Sequence, residues 1–198
     1  MNKYVLIIAL AITAFISISF GKKIEVPVTV SKNIDYTNTK KAHFAGGCFW
    51  GVEHLFEKQK GVKDVISGYM GGHLKNPSYY DVIRGDTGHV EAVEVVYNPN
   101  EIRYEDLTKL FFEIHDPSQK NGQGPDIGSQ YLSVVFYENE EEKKTAQKLI
   151  EILKAKGYGV ATTLKENSVF YVAEDNHQNY YERTGKTPYC HVYKKIFD

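Results

Sequence analysis

The chain has 198 residues, 42% of them hydrophobic and 25% charged, with a formal net charge of −1. That length and apolar share suffice for one buried core, and the balanced charge excludes a field-driven nucleic-acid role. Aromatic residues reach 13%, with 15 Tyr and 10 Phe, more than such a core needs; some are available to line a pocket, although half-buried sheet positions are the plainer use.

In chain order, residues 1–21 read as a signal peptide. Met1-Asn2-Lys3 is a weakly positive start, and the apolar run from Tyr4 to Phe20 ends among the small residues Ser17, Ser19 and Gly21. The run is slightly long for such a leader and slightly short for a spanning helix, so an uncleaved N-terminal anchor is the alternative. Export, to the periplasm or outside the cell, is the expectation. Residues 22–40 are polar, lack a helical period and read as a linker, which leaves 41–198 as the folded domain.

His43 to Ala45 fits a short strand entering a double glycine, after which Val52, Leu55 and Phe56 take up the spacing of an amphipathic helix. Val62 to Tyr69 reads as a strand ending at Gly71-Gly72. Tyr79 to Arg84 reads as a helical turn, and His89 to Tyr97 as a strand stopped by Asn98-Pro99. Leu107, Leu110, Phe111 and Ile114 give one apolar helix face, ended by Asp116-Pro117. The glycine-rich stretch from Gln119 to Ser129 is too long for a mere connection. Tyr131 to Tyr137 reads as a strand. Asn139 with Glu142 resembles a capping box for a helix carrying Ala146, Leu149, Ile150 and Leu153, which Gly157 stops. Thr162 to Leu164 and Val169 to Val172 add short strands. The order strand, helix, strand, strand, helix, strand predicts an α+β fold, a two-layer sandwich with a ferredoxin-like core and a loop-rich C-terminal tail.

Three residues carry candidate chemistry. Cys48 falls at the predicted helix start, where unpaired N–H groups and the helix dipole favour thiolate; a small buried hydrophobe is the competing reading. Cys190, the other cysteine, lies in a tail with little period, expected to be mobile. In an oxidising compartment the two could form a structural disulfide worth about 5 kcal/mol, but a glycine-flanked helix start beside Trp50 is a costly place for a staple, and a bond that forms and breaks in turnover fits both facts. Glu91 shares a strand face with Val93, Val95 and Tyr97, where burial would raise its pKa and make it a proton donor. The pattern alone favours a solubilising charge at an exposed strand end, and Glu94 competes on the other face.

Gly47-Cys48-Phe49-Trp50-Gly51, Gly68-Tyr69-Met70-Gly71-Gly72, Asn76-Pro77-Ser78-Tyr79, Gly85-Asp86-Thr87-Gly88-His89-Val90-Glu91-Ala92-Val93, His115-Asp116-Pro117, Asp126-Ile127-Gly128-Ser129-Gln130-Tyr131 and Ala173-Glu174-Asp175-Asn176-His177-Gln178 follow the order and spacing of the class A peptide-methionine sulfoxide reductases. The chain resembles that family from about Lys40 to about His191. The resemblance makes 41–198 a catalytic domain that reduces methionine S-sulfoxide, protein-bound or free, in repair of oxidised proteins. It implies Cys48 as nucleophile, Glu91 as acid, and the hydroxyls of Tyr79 and Tyr131 on the sulfoxide oxygen. Phe49 and Trp50 are implied as aromatic walls for the substrate methyl, Asp126 as a residue organising the site and its waters, and His177 as a further substrate-side residue or a structural histidine. Cys48 sulfenic acid would condense with Cys190, and a thioredoxin-like protein or a dithiol would reduce the disulfide. No metal or organic cofactor is expected, and the chain is expected to be a monomer. It lacks a cysteine after Cys190 that some members carry, and Pro125 and Leu132 depart from the usual pattern. A general thiol-disulfide oxidoreductase, disfavoured by the absence of Cys-x-x-Cys, and an aromatic-cage binding module are the alternatives.

Overall fold

Alternating apolar side chains between Lys40 and Tyr137 build most of a six-stranded sheet. The computed structural model describes residues 34–198; the leader and most of the linker read from the sequence lie outside the described residues. In chain order the elements are β1 (Lys40–Gly46), α1 (Phe49–Phe56), β2 (Val62–Met70), α2 (Tyr79–Ile83), β3 (Val90–Tyr97), α3 (Tyr104–Glu113), β4 (Gly122–Gln123), β5 (Asp126–Ile127), β6 (Ser133–Tyr137), α4 (Glu140–Ala155), β7 (Thr163–Glu166), β8 (Tyr171–Val172) and α5 (Tyr180–Thr184). Short 3₁₀ turns cover Ser129–Tyr131 and Asp175–His177. β1 thus begins at Lys40, the residue placed last in the linker.

The sheet order is β7-β6-β1-β3-β2-β8, and only the β6–β7 pair is parallel. β3 runs antiparallel between β1 and β2, so β1-α1-β2 is a split β-α-β unit. One face carries Phe44, Val93, Val95 and Val135. Against it pack Phe49, Val52 and Phe56 of α1, Leu107 and Phe111 of α3, and Leu149 and Leu153 of α4. Each large side chain removed from water there contributes about 1.5–3 kcal/mol. The opposite face holds a smaller cluster of Ala45, Met70, Val90, Ala92, Val134 and Phe136, covered by Leu132 and Phe170 from loops. Among the described residues no helix is long and apolar enough to cross a membrane.

Two local expectations needed revision. Asn139 caps α4 by accepting from Glu142 N–H at 3.0 Å, but the Glu142 carboxylate accepts from Glu138 N–H rather than closing a capping box. The reciprocal box is at α2, where Ser78 Oγ accepts from Asp81 N–H and Asp81 accepts from Ser78 N–H at 2.9 Å. The tail beyond α5 lacks regular structure yet is tied down, contrary to the expected mobility of Cys190. Glu113, the last residue of α3, accepts from Ile196 and Phe197 N–H through its carboxylate at 2.8 Å each, and from Lys194 N–H through its carbonyl at 2.7 Å. Phe197 joins the main core.

Candidate active site

β1 ends at Gly46 and α1 begins at Phe49, so two residues turn the chain from strand to helix. Gly47 does this at φ 95°, and a Cβ there would overlap Gln123, so only glycine suits the position. Cys48 follows as the N-cap of α1 and is buried. Both cysteines are free thiols, and their sulfurs and an Asp126 carboxylate oxygen all lie within 4.8 Å of one another.

The helix start alone does not set the Cys48 proton. The hydrogen bond with Cys190, then burial and the charge of Glu91, raise the Cys48 thiol, against the favourable Trp50 N–H. The Cys190 thiol is lowered to about 6, through the Cys48 hydrogen bond and His191, with burial opposing. Two sulfurs sharing one proton ionise as a pair: the first thiolate forms readily and its charge opposes the second. Moving the shared proton to Cys190 places the thiolate on Cys48, at the N–H groups of α1.

Glu91 is not at an exposed strand end. It is 2% exposed, because the first turn of α1 lies over the end of β3, and its Oε2 accepts from Phe49 N–H at 3.0 Å. Burial raises the carboxyl from 4.5 to about 8; Phe49 N–H lowers it, while the charges of Asp126 and Cys190 raise it further. The carboxyl is therefore largely protonated near neutral pH. Glu94 has the opposite setting. Burial raises its pKa, but His43 Nε2 at 3.1 Å and Lys41 Nζ at 2.9 Å outweigh burial and hold it below the ordinary value. It is a paired anion on the other face.

The remaining candidates converge from separate segments. Tyr79 opens α2, its N–H held by Glu174 Oε1 at 2.8 Å. Tyr131 closes the 3₁₀ turn after β5. Burial, then the charge of Glu91, raises both phenols, with Cys48 a further cause in each. Phe49 lies in the main core. Trp50 is half-buried and lies flat on Tyr180, with ring centroids 3.8 Å apart, while its Nε1–H donates to His177 Nδ1 at 3.2 Å. His177 also stands 4.5 Å from the Tyr79 ring and 5.3 Å from that of Phe49, centroid to centroid, and so orients the aromatic wall. Asp126 accepts from Tyr189 Oη–H at 3.0 Å.

Tyr180, Tyr189, Glu174 and His191 were missed from the sequence as site residues. Glu174 stood inside the Ala173–Gln178 motif and Tyr189 and His191 beside Cys190, but no spacing assigned any of them a role, and Tyr180 had no signal at all. Cys48, Asp126 and Cys190 are the one grouping among the described residues close enough to hold a cation, but the two sulfurs are already engaged with each other as a thiol pair that shares a proton.

Residues 40–197, which carry all of these side chains, match the family model described as "Peptide methionine sulfoxide reductase". The chain belongs to this family. A peptide methionine sulfoxide reductase MsrA from Nautilia profundicola is 49% identical over 150 residues, 76% of this chain and 87% of that relative. The crystal structure of Mxr1 from Saccharomyces cerevisiae in reduced form has a TM-score of 0.74 and 35% identity, covering 81% of this chain and 94% of that one. Mxr1 in complex with Trx2 gives 0.54 and 25%, covering 81% and 93%. As a peptide methionine sulfoxide reductase, the chain has one cysteine at the start of α1 and a second brought to it by the tail.

Proposed function

We propose that this protein reduces the S epimer of methionine sulfoxide, in oxidised proteins and peptides or free, and that a thioredoxin-like protein recycles it. The observation that carries this reading is the Glu91 carboxyl, raised to about 8 beside the amide that follows Cys48. Sulfoxide reduction needs a nucleophile on sulfur and a proton for the poorly basic oxygen, and these two groups supply them at one point. Cys48 attacks sulfur, and Glu91 protonates the oxygen while the Tyr79 and Tyr131 hydroxyls hold it. Trp50, with Phe49 beside it, receives the methyl group. Methionine leaves and Cys48 is left as sulfenic acid.

Cys190 then condenses with Cys48, and a thioredoxin-like protein or a dithiol reduces the disulfide. The complex of the related Mxr1 with Trx2 supports that partner. No metal or organic cofactor takes part, and the protein acts as a monomer. The apolar leader directs it out of the cytoplasm, so the reductant is an extracytoplasmic one; mass spectrometry of the mature N-terminus tests that export. The decisive assay supplies the two separated epimers of a methionine sulfoxide peptide with dithiothreitol. Turnover of the S epimer alone is expected, and turnover of neither epimer would sink the reading.

A further inference from the structure

Cys190 faces more than Cys48. Its sulfur lies 3.0 Å from His191 Nδ1, and the other ring nitrogen, Nε2, lies 2.7 Å from the Gly46 carbonyl oxygen. A carbonyl only accepts, so Nε2 carries the ring proton. Nδ1 faces the Cys190 sulfur, so the one proton between these two atoms can sit on either of them, and the ring can take it from the thiol. The ring is buried against the first turn of α1. A Cβ on Gly51 would collide with it, which gives the last glycine of the Gly47-Cys48-Phe49-Trp50-Gly51 run a purpose: it admits His191 beneath the helix that carries Cys48.

We propose that His191 is the general base of the resolving step, taking the Cys190 proton as that sulfur attacks Cys48 sulfenic acid and returning it to the departing hydroxide. The assignment rests on the sulfoxide reductase reading. The Cys48–Cys190 S–S bond forms and the Cys48 S–O bond breaks. Cys190 sulfur is oxidised, Cys48 sulfur is reduced, and hydroxide leaves with the Cys190 proton as water, so no outside oxidant is needed.

The groups around His191 fit this role. In front stand Cys190 and Cys48, with Asp126 within reach of both sulfurs and Glu91 beyond. Asp126 is engaged by the Tyr189 hydroxyl, and its charge opposes a Cys190 thiolate where His191 favours one. Behind lies His115, lowered to about 4, first by burial and partly by His191, with its ring fixed between the Phe111 carbonyl and Ser133 Oγ. It is neutral and leaves the His191 tautomer undisturbed. Beyond the adjacency of positions 190 and 191 this pairing has no local signal, because neighbouring side chains on an extended chain normally diverge.

The test is a rapid-quench single turnover of the full chain, reading methionine released and thiols lost. His191→Gln retains an N–H for Gly46 but cannot accept a proton and carry it. Expected at pH 7 are a methionine burst, closure of the disulfide slowed 10²-fold or more, and increased dimedone trapping of Cys48. As pH rises, the variant should gain about tenfold per unit until the thiol ionises unaided and the two rates meet near pH 9, whereas the wild-type rate changes little from pH 7 to 9. Closure of the variant at the wild-type rate, or parallel pH profiles, would overturn the assignment. Starting the same comparison with hydrogen peroxide, which makes the sulfenic acid without methionine sulfoxide, separates a failure of His191 from a failure of the reductase reading. Should His191→Gln not fold, the wild-type profile decides: closure climbing tenfold per pH unit from 6 to 8 contradicts an internal base.

Discussion

Replacing Glu91 by glutamine separates its chemistry from its cost. Glutamine keeps the shape and an oxygen for Phe49 N–H but has no proton to give. With the carboxyl at about 8, about nine-tenths of the wild-type protein holds the proton at pH 7, so the variant should lose the whole general-acid contribution, about 10²–10⁴-fold in the sulfoxide step. Stability should move the other way. Between 4.5 and about 8 the folded chain keeps a proton that the unfolded chain has released, so ionisation of Glu91 makes wild-type stability fall as pH rises through that window. At about 1.4 kcal/mol per pH unit, the loss approaches about 5 kcal/mol by pH 9. Glu91→Gln lacks this slope and should gain that amount relative to wild type between pH 4 and pH 9. Glu53, raised to about 8 mainly by burial, contributes a similar slope to both proteins and cancels in the difference. Urea titrations across this range and quenched single turnovers at pH 7 give the two quantities. A wild-type sulfoxide rate in the variant, or a stability difference that does not change with pH, would refute the protonated-acid assignment.

The wild-type sulfoxide step itself should fall about tenfold per unit above pH 8 as Glu91 ionises. Cys48→Ser should release no methionine even once, while Cys190→Ser should release one equivalent per chain and then stop with thioredoxin as reductant; sustained thioredoxin-driven cycling of Cys190→Ser would remove Cys190 from the mechanism. Trp50→Phe keeps an aromatic face over Tyr180 but leaves His177 Nδ1 without its donor. A loss of about 1–2 kcal/mol, read as a roughly tenfold rise in KM for a sulfoxide peptide, is expected. Glu113→Ala frees the amides of Ile196 and Phe197 and should cost about 1–3 kcal/mol in stability. In stopped-flow it should slow disulfide closure more than sulfoxide reduction.

Periodicity alone set out most of the fold. Strands and helices declare themselves through spacing that recurs within a few residues, so β1, α1, β2, β3, α3 and α4 were legible with ends shifted by a few positions. Cys48 at a strand-to-helix junction was legible for the same reason, since the double glycine and the following apolar spacing are local signals. Glu91 shows where that legibility stops. Alternation placed it on the face of Val93 and Val95, but whether that end of β3 was open or covered depended on α1, which arrives from more than thirty positions earlier. Covered, the same side chain changes from a solvated anion to an acid raised to about 8.

By itself, then, the sequence determined the order of elements, the faces they bury and, through its motifs, the family and the identity of both sulfurs. Only the tertiary structure decided their protonation and reach. Burial, the Cys48–Cys190 hydrogen bond, the Glu113 strap on the tail and the His191 ring beneath Gly51 are contacts between segments distant in the chain. Such contacts fix distances, and distances fix both the proton affinity of buried groups and the order in which two thiols can act.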